Sequence, residues 1–178
     1  MIDEDALIGG LERREIVIVE YDPSWPQRFE RERARLERAL GARALGVEHV
    51  GSTAVPGLAA KPIVDILVTV VDPTDDEIAA AMEAVGYELR VREPAHRMFR
   101  TAARDIHVHL WAPDSPEVNR LLAFREHLRD FSPDRLAYEA LKRELAGRSR
   151  RDMNEYADAK GPFIERVLEA AEGRAEAG

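Results

Sequence analysis

Residues Val47 to Val70 read VEHVGSTAVPGLAAKPIVDILVTV, two β-branched runs joined by a turn-rich segment. The second run, from Pro62 to Val70, is apolar except for Asp65 and Thr69. A lone carboxylate inside such a strand is costly unless something meets it. The segment before it supplies candidates. Gly51 lets backbone approach a ligand closely, Ser52 and Thr53 offer hydroxyls and N–H groups, and Lys61 brings a cation. Twelve residues separate Ser52 from Asp65. An acid placed there can hold a divalent cation that bridges phosphate oxygens.

The elements around this stretch define the fold class. Glu15 to Glu20, EIVIVE, alternates and reads as a strand. Trp25, Phe29, Leu36 and Leu40 recur at helical spacing before Gly41, which predicts an amphipathic helix. In TDDEIAAAMEAVG, Thr74 is the expected N-cap, Glu77 stands at the capping-box position and Gly86 follows the end. YELRVR, RMFRTA and DIHVHLW predict three more strands with short, antiparallel connections. From Ser115 the pattern is helical, in three segments, the last kinked or interrupted at Gly161-Pro162. The class is α+β: a mixed sheet over about 15–112 and a bundle of about three helices over about 115–171. These form one domain, 15–171, after a polar lead-in at 1–14 and before a frayed tail at 172–178. Tyr138 to Lys142, YEALK, echoes Tyr156 to Lys160, YADAK, but the match is too short to be a repeat.

Composition narrows the partners. Twenty-six Lys and Arg against 34 Asp and Glu give a net charge of −8, which argues against an extended nucleic-acid face. Arg90 to Arg104 is the local exception, with five arginines and one Glu, suited to a small anion. The absence of cysteine excludes disulfides and thiolate chemistry and fits a cytoplasmic location. The first residues lack the basic and apolar regions of a signal peptide, and no apolar run approaches the ~20 residues of a membrane span.

Val-Gly-Ser followed at this distance by Asp-Ile-Leu-Val resembles the signature of DNA polymerase β-like nucleotidyltransferases. That signature carries two acids alternating on one strand face, and here the second position is Leu67. A longer resemblance is carried by YDPSWPQRFERERARLERALG, VEHVGSTAVPGLAAKPIVDILV, HRMF, HVHL, FREHLRDFSPDRLAYEALKRELA and YADAKGPFI. In that order, over about Tyr21 to Ile164, the chain is similar to the GrpB (glutamate-rich protein B) family. The resemblance implies a nucleotidyltransferase-like fold, and Leu67 is a feature such sequences share.

Three functions follow as expectations. The leading one is binding of a nucleotide or similar phosphate compound, with transfer of a nucleotidyl group to a small acceptor if the protein is active. Gly51, Ser52, Thr53 and Lys61 would hold phosphate, Arg97 and Arg100 would steady charge, and Asp65 would hold a metal. His107 and His109 alternate on one strand and would share that metal, Mg²⁺ or Mn²⁺, or Zn²⁺ if the imidazoles ligate. His49 and Lys160 are further candidates. No organic cofactor and no membrane are expected. The rivals are a non-catalytic nucleotide-binding module that has lost the second carboxylate, and a His/Asp metal-dependent hydrolase. His96 and His127 read as surface residues, Lys142 and Lys160 first as helix-surface lysines, and Trp25 and Trp111 as packing residues.

Overall fold

The computed structural model describes residues 6–10, 15–148 and 153–176. Helix α1 spans Trp25–Leu40 and α2 spans Asp76–Ala84. Five strands follow the order β1 Gly46–Val50, β2 Val64–Thr69, β3 Tyr87–Glu93, β4 His96–Thr101 and β5 Ile106–Trp111. Four helices complete the described chain: α3 Pro116–Asp130, α4 Ser132–Arg148, α5 Met153–Asp158 and α6 Gly161–Glu176. The strands form one mixed sheet ordered β1-β2-β5-β4-β3. Only β2 and β5 run parallel, and α2 with the β3–β4 hairpin forms the crossover between them.

Two layers cover the sheet. On one face Trp25, Phe29, Leu36 and Leu40 of α1, with Ile78 and Met82 of α2, pack on Ile66, Val68, Phe99, Val108 and Leu110. Gly41 ends α1 at φ 57°, a conformation that favours glycine. On the other face Val118 of α3 packs on Val50 and Leu67, with Leu121, Leu122 and Trp111 around them. Strand β2 is therefore covered on both sides, which explains its near-continuous apolar run. Leu67 is 1% exposed. The position where a second acid was sought is the seat of α3.

Several expectations are corrected. Residues 15–20 form no strand of the sheet. Only Val19 pairs, in a single bridge to Ala60, while Ile16 packs on Ile63, Leu145 and Tyr156. The N-cap of α2 is Asp75, which accepts from the Glu77 N–H, because Thr74 spends its hydroxyl on Asp72. The C-terminal part holds four helices among the described residues, since the last segment breaks between Asp158 and Gly161. The lead-in is partly anchored. Leu7 bridges Val91, and a register shift between Leu89 and Val91 aims buried Arg90 at the carbonyls of Ile8 and Gly10. Helix α6 continues to Glu176, while the expected lead-in at 1–5 and 11–14 and the last two tail residues lie outside the described residues.

Candidate functional site

Strand register assembles the site. Asp65 lies beside Val50 on β1 and beside His107 on β5, and His109 lies two positions further on the same face. Asp65 Oδ1 is 3.5 Å from His107 Nδ1 and 3.8 Å from His109 Nε2. One ligand atom from each residue lies within 4.8 Å of the others. The gaps exceed hydrogen-bond length, yet they match neighbouring ligands of one ion. Two donors each ~2.1 Å from a tetrahedral centre stand about 3.4 Å apart. The side chains are 17–31% exposed, so the set is recessed but reachable. Burial opposes ionisation of Asp65. The two imidazoles outweigh it and hold the carboxyl well below the usual carboxylate range. Two neutral nitrogens and one carboxylate suit Zn²⁺, Mn²⁺ or Fe²⁺ better than Mg²⁺.

Gly51 is required by this arrangement. Its φ is +71°, and a Cβ there would lie 2.6 Å from Asp65 Oδ2. Gly51→Ala is expected to lower stability by about 2–3 kcal/mol and to displace the carboxylate. Urea unfolding together with a metal titration checks both effects, and a variant matching the parent in each would contradict the packing.

The other expected residues divide by face. Ser52 lies near the Tyr138 hydroxyl and opposes the rise in pKa that burial gives it. Arg100 stands in register with His107, with its Nε 3.9 Å from Glu88. Arg97 points the opposite way, to the Asp75 carbonyl at 3.2 Å and the Asp76 carboxylate at 3.1 Å, where it secures the start of α2. It is not placed to meet a ligand at Asp65. His49 also lies on the far face, stacked 4.9 Å from Phe29. Burial lowers it to about 4, against the pull of Asp65 and with help from Arg129 and Arg125. Thr53 is turned inward as well, 3.0 Å from His49 Nε2. Two expected surface histidines are not on the surface. His96 is 6% exposed and bonds Glu93 and His109, and His127 pairs with Asp134 at 2.7 Å.

The C-terminal helices contribute what the residue patterns did not assign. Arg129 of α3 donates to the Ala54 carbonyl through two nitrogens, and Arg125 donates to the His49 carbonyl, so α3 clamps the Gly-Ser turn. On α4, Glu139 accepts from Ala59 N–H while Lys142 donates to the Ala59 carbonyl. Lys142 is 2% exposed, with its ammonium 5.0 Å from the Tyr138 ring centroid. Lys61 and Lys160 stand 4.9 and 4.7 Å from the ring centroid of Tyr156. Burial, then the charges of Lys160 and other neighbours, lowers Lys142 to about 7. Burial and Lys61 lower Lys160 to about 8, with Asp65 opposing. The Tyr156 hydroxyl is buried and has no hydrogen-bond partner among the described residues. Neither lysine is an ordinary surface residue. The signal in the sequence was the echo itself: YEALK and YADAK each set a lysine four residues after a tyrosine, the first pair within α4 and the second with Lys160 in the turn after α5.

These features define an α+β protein with a mixed five-stranded sheet and an Asp/His/His group at a Gly-Ser turn. The chain belongs to the GrpB protein family, whose pattern matches residues 15–170. A UPF0157 protein of Streptomyces coelicolor is 51% identical over 89% of this chain and 85% of its own length. A dephospho-CoA kinase of Mycolicibacterium paratuberculosis is 31% identical over 85% of this chain, which spans only 45% of that protein. The crystal structure of GrpB from Enterococcus faecalis superposes with a TM-score of 0.78 at 33% identity, covering 89% of this chain and 99% of that one. The structure of the GLD-2/RNP-8 complex gives a TM-score of 0.54 at 18% identity, over 84% of this chain and 60% of that one. At that identity the likeness concerns the fold.

Proposed function

We propose that this protein binds a nucleoside triphosphate or a closely related polyphosphate compound, and transfers its nucleotidyl group to a small acceptor. The observation that carries this reading is the group of Lys61, Lys142 and Lys160 gathered around two buried tyrosines beside the Asp65 site. Buried ammonium groups that depress one another's pKa values cost free energy in the unliganded protein. A polyanion held beside them recovers that cost. Asp65, His107 and His109 would hold a divalent ion, whose chemistry is to neutralise charge on the phosphate oxygens.

Ser52 and the backbone at Gly51 face the phosphates where the turn meets Asp65, and Arg100 adds a cation on the same sheet face. In the transfer, an acceptor oxygen forms a bond to the α-phosphorus while the bond to the bridging oxygen breaks and pyrophosphate leaves. The kinase of M. paratuberculosis that contains a similar region adds circumstantial support, because a dephospho-CoA kinase is itself a nucleotide enzyme.

Calorimetric titration with ATP, GTP and CTP, with and without Mn²⁺, tests the reading. Metal-strengthened binding that Lys160→Ala weakens about tenfold or more is expected. Failure of every nucleotide to bind would sink it. Binding without pyrophosphate release for any acceptor would favour the non-catalytic module, and metal-dependent phosphate release from simple esters would favour the hydrolase.

A further inference from the structure

We infer that Glu93 and His96 are positioning residues that fix His109 in its metal-ligating form and tune the site toward borderline transition metals. The inference rests on the metal-holding role proposed above for Asp65, His107 and His109. A chain of three contacts leads from the edge of the sheet into the site. Glu93 Oε2 is 2.8 Å from His96 Nδ1, His96 Nε2 is 3.2 Å from His109 Nδ1, and His109 Nε2 is 3.8 Å from Asp65 Oδ1. The His96 ring is held in place by Trp111, stacked 4.2 Å away at 11°, and lies within 6° of parallel to the His109 ring. Trp111 and His109 alternate on β5, and His96 opens β4. The sheet alone brings the three rings together.

Counting donors fixes the tautomers. Both ends of the chain are carboxylates, which only accept. Three contacts need three bridging protons, and two neutral imidazoles supply two. Glu93 takes the His96 Nδ1 proton, leaving His96 Nε2 to accept from His109 Nδ1. The lone pair of His109 Nε2 then faces Asp65 across the longest of the three gaps. A divalent ion held by His109, His107 and Asp65 would take the place of the third proton. A carboxylate behind a ligating histidine also raises the basicity of the ligating nitrogen. Here that influence passes through a second imidazole, and it favours ions that prefer nitrogen over Mg²⁺.

The experiment is chelator-competition titration of the metal-free full chain with Zn²⁺ and Co²⁺, alongside ¹⁵N NMR of the imidazoles. One Zn²⁺ or Co²⁺ per chain is expected, with a tetrahedral-type Co²⁺ spectrum and His109 protonated at Nδ1. His96→Phe keeps a ring over Trp111 but has no acceptor. It should weaken Zn²⁺ about 10–100-fold and mix the His109 tautomers, with metal-free thermal unfolding unchanged. His96→Gln, whose amide oxygen accepts, should recover part of the loss, and Glu93→Gln should lose less than His96→Phe. Equal affinities for the parent protein and His96→Phe, with His109→Ala impaired, would overturn the inference and leave the metal site standing. Nucleotide binding with no transition-metal binding would also overturn it, while leaving the nucleotide reading intact.

Discussion

Asp65→Asn is expected to abolish divalent-metal binding, and with it any nucleotidyl transfer, while leaving the fold intact. Asparagine preserves the shape that Gly51 accommodates. It removes the only carboxylate of the Asp/His/His set, and two neutral imidazoles then offer no charge to the ion. Partners one layer outside a metal site already contribute about 10–100-fold in affinity, so loss of the sole anionic ligand should exceed a hundred-fold. The unliganded variant should keep the fold but lose some stability, because the charge that the two imidazoles favour in the folded protein is gone. Metal titration and circular dichroism on the same samples separate the two effects. Retained metal affinity would move the site away from β2, and turnover persisting in Asp65→Asn would remove Asp65 from the chemistry.

Leu67 shows why a second acid is missing from this strand. Its side chain lies under Val118, Leu121 and Leu122, so a carboxylate there would be buried in an apolar seat. The helix that occupies this seat also sends Arg125 and Arg129 to the carbonyls of His49 and Ala54. The same face therefore carries helix docking at one end and the Asp/His/His group at the other. The two histidines of β5 complete the open end.

The sheet and most helices were legible in the residues because they rest on periodicity and punctuation. Alternation placed β3, β4 and β5, and Gly41 and Gly86 ended helices at positive φ. The pairing of Asp65 with His107 and His109 was legible for the same reason, since residues two apart on a strand share a face. The failures have a common cause. EIVIVE has a strand pattern, but its partners were Ile63, Leu145 and Tyr156, which no local pattern reveals. Arg97, His49 and Thr53 had suitable chemistry and neighbouring positions, yet strand parity sent Arg97 and His49 to the opposite face, and the short helical turn after Gly51 turned Thr53 inward. Lys142 looked like a surface lysine because helix spacing does not tell which face meets a loop 83 residues earlier. Tyr138 and Tyr156 were visible only as an unexplained echo.

The lysine group predicts an unusual pH dependence of stability for the unliganded protein. Lys142 falls from 10.5 in the unfolded chain to about 7 in the fold, with burial as the main cause. Lys160, Lys61 and Arg143 push in the same direction, and Glu139 opposes them. Between these values the unfolded chain binds a proton that the folded protein does not, so stability rises with pH across this window. At one proton per 1.36 kcal/mol per pH unit, Lys142 contributes up to about 3 kcal/mol between pH 7 and 9.5. The window is clean at both ends. His49 and His96, lowered to about 4, have finished their contribution near pH 7. Tyr87, Tyr138 and Tyr156 are raised by burial and begin to act, with the opposite sign, only near pH 10. Lys142→Met fills the same space without a charge and should remove the larger part of the rise, leaving the share that belongs to Lys160. Inorganic tripolyphosphate should flatten the parent's profile in another way. By stabilising the charged amines it raises their pKa values and adds most stability at the low-pH end. Urea unfolding at several pH values, with and without tripolyphosphate, measures both effects. A parent protein whose stability stays level from pH 7 to 9.5 would mean that Lys142 keeps its charge in the fold, and the free-energy argument for a polyanion at this site would go with it.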